Sequence, residues 1–244
     1  MSKKYLFLLA TTFSVFFIAV LMISASKNED VFLTYKVKAY SPDLKLYWKD
    51  TSGKQILNFE NLKIIAESEN KTLVFAMNGG MYDKDFSPKG LFIENGKTLT
   101  KLDKVQKAFG NFYLQPNGVF YLTNENKGVV CKTEEFENIN VKFATQSGPM
   151  LLINGEMHPK FIKGSKNLNI RNGVGILPNG NILFVMSKQK INFYDFATYF
   201  KYKGCKNALY LDGYVSKTYL PEKNWIDSGG NFGVIVGMMK SKNL

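Results

Sequence analysis

Residues 192–213 read NFYDFATYFKYKGCKNALYLDG, a stretch that holds a helix, a strand and an acid in quick succession. Asn192 is a residue type whose side chain accepts from the amides of a helix's first turn. Behind it Phe193, Phe196, Ala197 and Phe200 recur at helical spacing and form one apolar face. Gly204 supplies the left-handed position on which helices commonly stop. Ala208-Leu209-Tyr210-Leu211 then reads as a short buried strand that ends in Asp212-Gly213. An acid at a strand's carboxyl end, beside a glycine that permits close approach of backbone, is well placed for chemistry. The aromatic helix face reads as core packed on a sheet.

Working outward, the chain is dominated by strand-like runs. They cover Val31 to Tyr40, Leu44 to Trp48, Thr72 to Met77, Gly90 to Glu94, Phe112 to Leu114, Val119 to Thr123, Met150 to Ile153, Val174 to Leu177, Ile182 to Met186 and Val234 to Met239. Four Asn-Gly pairs lie between such runs: Asn95-Gly96, Asn117-Gly118, Asn154-Gly155 and Asn179-Gly180. Asn-Gly accepts the positive φ values of tight hairpins, so these pairs argue for antiparallel pairing. A second helix is expected after Asn58, with Phe59, Leu62, Ile65 and Ala66 on its apolar face. With no repeat or low-complexity linker after residue 30, the expectation is one β-rich α+β domain over residues 31–244. It should carry mixed or antiparallel sheet, several Asn-Gly hairpins and a few packed helices.

Composition agrees with a packed domain. The 244 residues are 45% hydrophobic and 14% aromatic, with only 21% charged, which excludes a disordered chain. The 32 basic side chains against 20 acidic ones give +12 and a pI near 9.4. Arg171 is the sole arginine and His158 the sole histidine. Nucleic-acid readers lean on arginine forks, so a charge made of dispersed lysines reads as a solvated face and no nucleic-acid partner is expected.

Lys3 and Lys4 precede an apolar run from Tyr5 to Ile23, followed by Ser24-Ala25-Ser26. This is the pattern of an export signal over residues 1–26, either cleaved or kept as an N-terminal membrane anchor. Both outcomes place the rest of the chain beyond the membrane, in a bacterial periplasm or cell envelope, with any membrane contact through that segment alone. Cys131 and Cys205 are either a disulfide pair of an exported protein or two small buried hydrophobes. No metal or cofactor is expected. Asp83-x-Asp85 lacks the rest of a calcium loop, and neither the cysteines nor His158 show ligand spacing.

Four motifs in order carry a resemblance. They are Ala76-Met77-Asn78-Gly79-Gly80-Met81-Tyr82, Ser147-Gly148-Pro149-Met150-Leu151, Arg171-Asn172-Gly173-Val174-Gly175, and Leu211-Asp212-Gly213 with Ser216. Together they resemble the phosphodiester glycosidase family, which includes the domain that uncovers mannose 6-phosphate. Within that family Asn117-Gly118-Val119-Phe120-Tyr121 and Ala144-Thr145-Gln146 look like a bacterial branch of envelope proteins. The resemblance runs from about residue 72 to 221. Two departures stand out: Tyr214 and Val215 occupy the place of further glycines before Ser216, and Ser187 stands where many relatives have aspartate.

The resemblance implies hydrolysis of a sugar-1-phosphodiester in an envelope or extracellular glycan. The alternative is a catalytically silent protein that binds glycan or anionic polysaccharide. Cleavage at the anomeric carbon passes through an oxocarbenium-like state and expels a phosphate monoester. It calls for a cation at the phosphate and a carboxylate at the anomeric centre. The family pattern makes Asp212 that carboxylate and Arg171, a planar fork for two phosphate oxygens, the phosphate clamp. Asn78, Gly79, Gly80, Ser147, Gly148 and Ser216 are expected as hydrogen-bonding walls that contact substrate. His158 is a second-tier acid or base. Ser147 lacks a nucleophile elbow and is expected to bind, not to attack.

Overall fold

The computed structural model describes residues 31–212 and 215–242; the apolar segment 1–26 lies outside them, as do Gly213 and Tyr214. Three sheets carry the fold. The first has six strands in the order β1 (Phe32–Val37), β12 (Ile182–Ser187), β11 (Asn172–Ile176), β13 (Ala208–Asp212), β9 (Met150–Ile153), β10 (Glu156–Met157). The second runs β15 (Trp225–Ile226), β14 (Thr218–Leu220), β3 (Lys71–Gly80), β16 (Val234–Ser241), β2 (Leu44–Tyr47). The third runs β5 (Lys97–Thr100), β4 (Phe92–Glu94), β8 (Val141–Ser147), β6 (Gly118–Thr123), β7 (Gly128–Lys132). Neighbouring strands are antiparallel throughout these ladders. The domain is thus β-rich and α+β, as expected.

The sheets enclose one core. Phe75 of β3, Phe184 of β12 and Phe120 of β6 bring one ring from each sheet together, the outer two centred 5.2 and 5.8 Å from Phe184. All three are fully buried. At roughly 2 kcal/mol for each buried ring, this contact ties the three layers into one cooperative unit.

Two helices cover outer faces. α1 (Phe59–Ser68) packs Phe59, Leu62 and Ala66 against Leu73, Ala76 and Ile235 of the second sheet. α2 (Phe193–Tyr202) packs Phe196, Ala197 and Phe200 against Leu151, Val185 and Tyr210 of the first. Both caps act as the sequence foretells: Asn58 accepts from the amide of Asn61 and Asn192 from that of Asp195. Gly204 follows α2 at φ +84°. No helix among the described residues is long and apolar enough to cross a membrane.

The Asn-Gly pairs divide into two kinds. Asn95-Gly96 and Asn154-Gly155 adopt positive φ at both residues and close the β4–β5 and β9–β10 hairpins. Asn179-Gly180 lies in the β11–β12 connection with only the glycine left-handed. Asn117-Gly118 is no hairpin. Its asparagine is buried and donates to the Phe112 carbonyl, and a Cβ on Gly118 would lie 2.4 Å from Met150 Sδ and 2.6 Å from the Cys131 carbonyl. That glycine admits neighbouring chain; it does not turn. The run Phe112 to Leu114 is likewise no strand but the end of a single 3-10 turn, Asn111–Tyr113. Cys131 and Cys205 are free thiols; Cys205 is a small buried hydrophobe, whereas Cys131 is half-buried.

Gly90 is the glycine with most to lose. It sits at φ +73°, and a Cβ would lie 2.3 Å from Gln146 Oε1 and 2.8 Å from Phe112 Cζ. Gln146 Oε1 accepts from the amides of Leu91 and Asp103 at 3.0 and 2.9 Å and so pins segment 101–110 to the third sheet. Gly90→Ala is expected to cost about 3 kcal/mol in urea denaturation, from backbone strain together with a displaced Gln146.

Candidate active site

The strand ends of all three sheets converge on Asp212. β3 contributes Asn78, β11 contributes Asn172, β13 contributes Asp212 and β8 contributes Ser147, all buried. Asn172 faces Asp212 across the β11–β13 ladder, where a register shift interrupts the pairing. Its Oδ1 accepts from the Asp212 amide at 3.0 Å, and its Nδ2 donates to Asn78 Oδ1 and the Asn78 carbonyl at 2.9 and 2.8 Å. Asn78 Nδ2 in turn donates to Asp212 Oδ2 at 2.5 Å and to the Val215 carbonyl. Asn78 Oδ1 also accepts from the Lys217 amide at 2.8 Å. Both side-chain amides have donors and acceptors used, so their orientation is fixed, and they hold the carboxylate in one place.

Ser147 Oγ donates to the Leu211 carbonyl at 2.7 Å and braces the same strand end. Ser216 Oγ donates to the Ile170 carbonyl. The glycines at this corner fit strands together. A Cβ on Gly79 would lie 2.9 Å from the Val236 amide nitrogen, one on Gly80 2.4 Å from Thr145 Oγ1, and one on Gly148 2.6 Å from Asn117 Cβ.

Asp212, only 4% exposed, reaches a cleft of about 410 Å³ lined also by Met81, Tyr82, Lys89, Phe109, Gly110, Asn111 and Phe112. Burial, with the Asp212 charge adding to it, pushes the Tyr82 hydroxyl up to about 12, so it stays a proton donor across the physiological range. Phe109 is 100% exposed at the rim of this cleft. A full aromatic ring in water beside a buried carboxylate is a ready platform for a sugar face.

Arg171 and His158 are not among the residues that line the cleft. The Arg171 guanidinium is fully buried and its donors are engaged: Nε with the Ile191 carbonyl at 2.7 Å, Nη2 with the Asn167 carbonyl at 2.9 Å, Nη1 with Tyr210 Oη at 3.3 Å. Its carbon lies 3.6 Å from the Phe193 ring centre. Burial holds its pKa below the usual arginine value, offset in part by Tyr210. Tyr210 connects this cation to the site, since its hydroxyl, raised by burial, feels both Arg171 and Asp212.

His158 continues the same stack, with its ring 4.7 Å from Phe161, which lies 5.0 Å from Phe193. Burial lowers its pKa to about 4 from 6.5. The folded state therefore refuses a proton that the unfolded chain accepts below pH 6.5. Stability from this residue is complete above pH 6.5 and declines as pH falls toward 4. The midpoint temperature is expected to drop more steeply over that window in the native protein than in His158→Phe, as read by thermal denaturation at several pH values.

Asp83 and Asp85 belong to the connection between β3 and β4. Asp85 Oδ1 accepts from the amide and hydroxyl of Ser87, while Asp83 pairs with Lys89 at 3.0 Å. Among the described residues no cluster of three metal-ligating side chains occurs. Sequence reasoning missed Asn172, Lys89, Phe109 and Phe112. Asn172 had a usable signal, because it stands in the third motif directly beside Arg171.

Comparison with known proteins gives the chain a family and a fold. A family model for phosphodiester glycosidases matches residues 71–233, a span that holds Asn78, Ser147, Asn172 and Asp212. The chain is 36% identical over 221 residues to the uncharacterised Escherichia coli K12 protein YigE, covering 90% of this chain and 86% of that one. Its fold is similar to the catalytic domain of zebrafish N-acetylglucosamine-1-phosphodiester alpha-N-acetylglucosaminidase, crystallised in a form auto-inhibited by its pro-peptide. That likeness has TM-score 0.52 at 14% identity and covers 85% of this chain and 88% of that one. A hypothetical protein from Synechocystis is similar at TM-score 0.50 and 14% identity, over 85% of this chain and 59% of the other. The structural likenesses speak for a common fold, and the family match, extending over most of the folded domain, speaks for descent: the chain belongs to the phosphodiester glycosidase family.

Proposed function

We propose that this protein hydrolyses a glycosyl phosphodiester at its anomeric carbon, with Asp212 as the carboxylate at the reacting centre. The observation that carries this reading is the placement of Asp212, held by Asn78 on the floor of an aromatic-walled cleft. A carboxylate so fixed can stabilise or capture the positive charge that grows on the sugar as the phosphate leaves. In the reaction the bond from C1 to the phosphate oxygen breaks, and its electron pair departs with the phosphate monoester. The oxygen of water bonds to C1, and its proton is released. Because the leaving phosphate is a weak base, little general-acid help is needed. Tyr82 supplies a neutral hydroxyl donor, and Phe109 and Phe112 supply apolar walls for the sugar. Asn78, Asn172 and Ser147 position the strand ends. Arg171 and His158 belong to the aromatic stack around Phe161 and Phe193 and support the fold. The N-terminal pattern of two lysines and an apolar run supports export, which would put the substrate in an envelope or extracellular glycan.

The test incubates the purified full-length protein with methyl and glyceryl diesters of several hexose 1-phosphates in water enriched in oxygen-18, and reads the products by mass spectrometry. Label in the free sugar and none in the phosphate monoester is the expected result. Label in the phosphate would mean attack at phosphorus and would sink the anomeric mechanism.

A further inference from the structure

Among the described residues lining the Asp212 cleft, Lys89 is the cation. It is held by a well-pinned loop: its amide donates to the Met81 carbonyl at 2.9 Å, Trp48 Nε1 donates to the Phe86 carbonyl and Gln55 Nε2 to that of Asp85. Its ammonium lies 5.9 and 5.5 Å from the ring centres of Phe112 and Tyr113, within cation–π range. One carboxylate, Asp83, engages it at 3.0 Å. The pair is open to water, with side chains 28% and 55% exposed, so it is weak and readily exchanged. Burial works against the Lys89 charge, but the hydrogen bond and charge of Asp83, joined by the charges of Tyr113 and Asp103, together outweigh it and raise the pKa above the ordinary lysine value.

We propose that Lys89 is the residue that receives the phosphate of a glycosyl phosphate in this cleft, and that Asp83 is an internal anion which the ligand displaces. This rests on the glycosyl-phosphodiester reading of the site and adds to it the seat of the anionic group. Arg171 cannot take the part without giving up contacts in the core, whereas Lys89 needs only to exchange one solvent-facing carboxylate for another anion. The arrangement makes Asp83 a competitor: it keeps the ammonium oriented when the cleft is empty and weakens every anionic ligand.

The experiment is calorimetric titration of the full-length protein with glucose 1-phosphate, galactose 1-phosphate and N-acetylglucosamine 1-phosphate, each beside its uncharged methyl glycoside. Lys89→Met is expected to weaken the tightest hexose phosphate by about tenfold or more and leave its methyl glycoside unchanged. Lys89→Arg should stay within about threefold of native, and Asp83→Asn should tighten binding by about threefold, the worth of one exposed pair. Thermal midpoints should agree within about 4 °C across these variants, because the pair is exposed. Native-like binding by Lys89→Met overturns the assignment. So does a native protein that binds no hexose phosphate more tightly than its methyl glycoside. Binding that follows Lys89 while no diester is cleaved would uphold the anion seat and sink the hydrolase reading, so the two failures are separable.

Discussion

Asp212→Asn is expected to lower turnover of a cleavable sugar-1-phosphodiester by about a thousandfold or more, equivalent to about 4 kcal/mol of transition-state stabilisation. The fold should survive. Asn78 Nδ2 points at Asp212 Oδ2, and an asparagine there can still present an oxygen acceptor while the 212 amide keeps its bond to Asn172 Oδ1. Removal of the charge is therefore nearly isosteric, and the thermal midpoint should move by only a few degrees. Binding should persist, since Lys89, Tyr82 and the aromatic rim are unchanged. Paired rate and calorimetric measurements on the two proteins check this. Residual turnover within tenfold of native would remove Asp212 from the reacting centre.

Arg171→Leu is the second large effect, and it should appear in stability. The side chain is fully buried, and its removal would leave the buried Tyr210 hydroxyl without its guanidinium partner, take one donor from the Ile191 carbonyl, which keeps the Asn169 amide, and uncover the face of Phe193. At about 1–3 kcal/mol for the buried hydroxyl left unpaired, together with the packing lost on Phe193, a loss of about 3 kcal/mol is expected. In a domain of this size that lowers the midpoint by about 6–12 °C. Arg171→Lys should be intermediate, because the three donors of an ammonium radiate from one atom and cannot reach partners spaced for three nitrogens of a planar fork. A residue whose work is to clamp phosphate would behave otherwise, raising KM at native stability. Thermal denaturation together with steady-state kinetics distinguishes the two roles.

Local physics was legible in the sequence wherever it acted alone. The caps Asn58 and Asn192 announce both helices, because a short amide side chain before an apolar stripe has few better uses. Asn95-Gly96 and Asn154-Gly155 announce hairpins because their backbone angles admit few residues. What failed to show was structure set at a distance. The central strand of the third sheet, Val141–Ser147, ends in Thr145, Gln146 and Ser147, whose polarity looks like loop. Those side chains are buried because they answer backbone groups elsewhere: Gln146 holds the 101–110 segment and Ser147 holds Leu211. Asn117-Gly118 carries the hairpin signature, yet its glycine answers a steric demand from Met150, far along the chain.

The site shows the same division. Asp212 drew notice from its place after an apolar strand and took its expected role from the family pattern, but its hold by Asn78 spans 134 positions that no local pattern connects. Arg171 drew notice as the only arginine, and its scarcity pointed to importance without saying of which kind. Lys89 is one of 31 lysines and nothing in its neighbourhood marks it out. The fold selects it, by turning the loop after β3 back over the strand ends.

That the floor beneath Asp212 is assembled from the ends of three sheets also decides which parts of the protein can be altered independently. A centre carried on one loop can be transplanted or retuned by exchanging that loop. Here Asn78, Asn172, Ser147 and Asp212 lie in the seams of the scaffold, so the floor is not portable, and any change to it is a change to the whole domain. The rim residues Tyr82, Lys89 and Phe109 stand on connections outside those seams. On the proposed function, reaction type and substrate choice would be written in two separate places, and a designer seeking a new sugar would edit the second and leave the first alone.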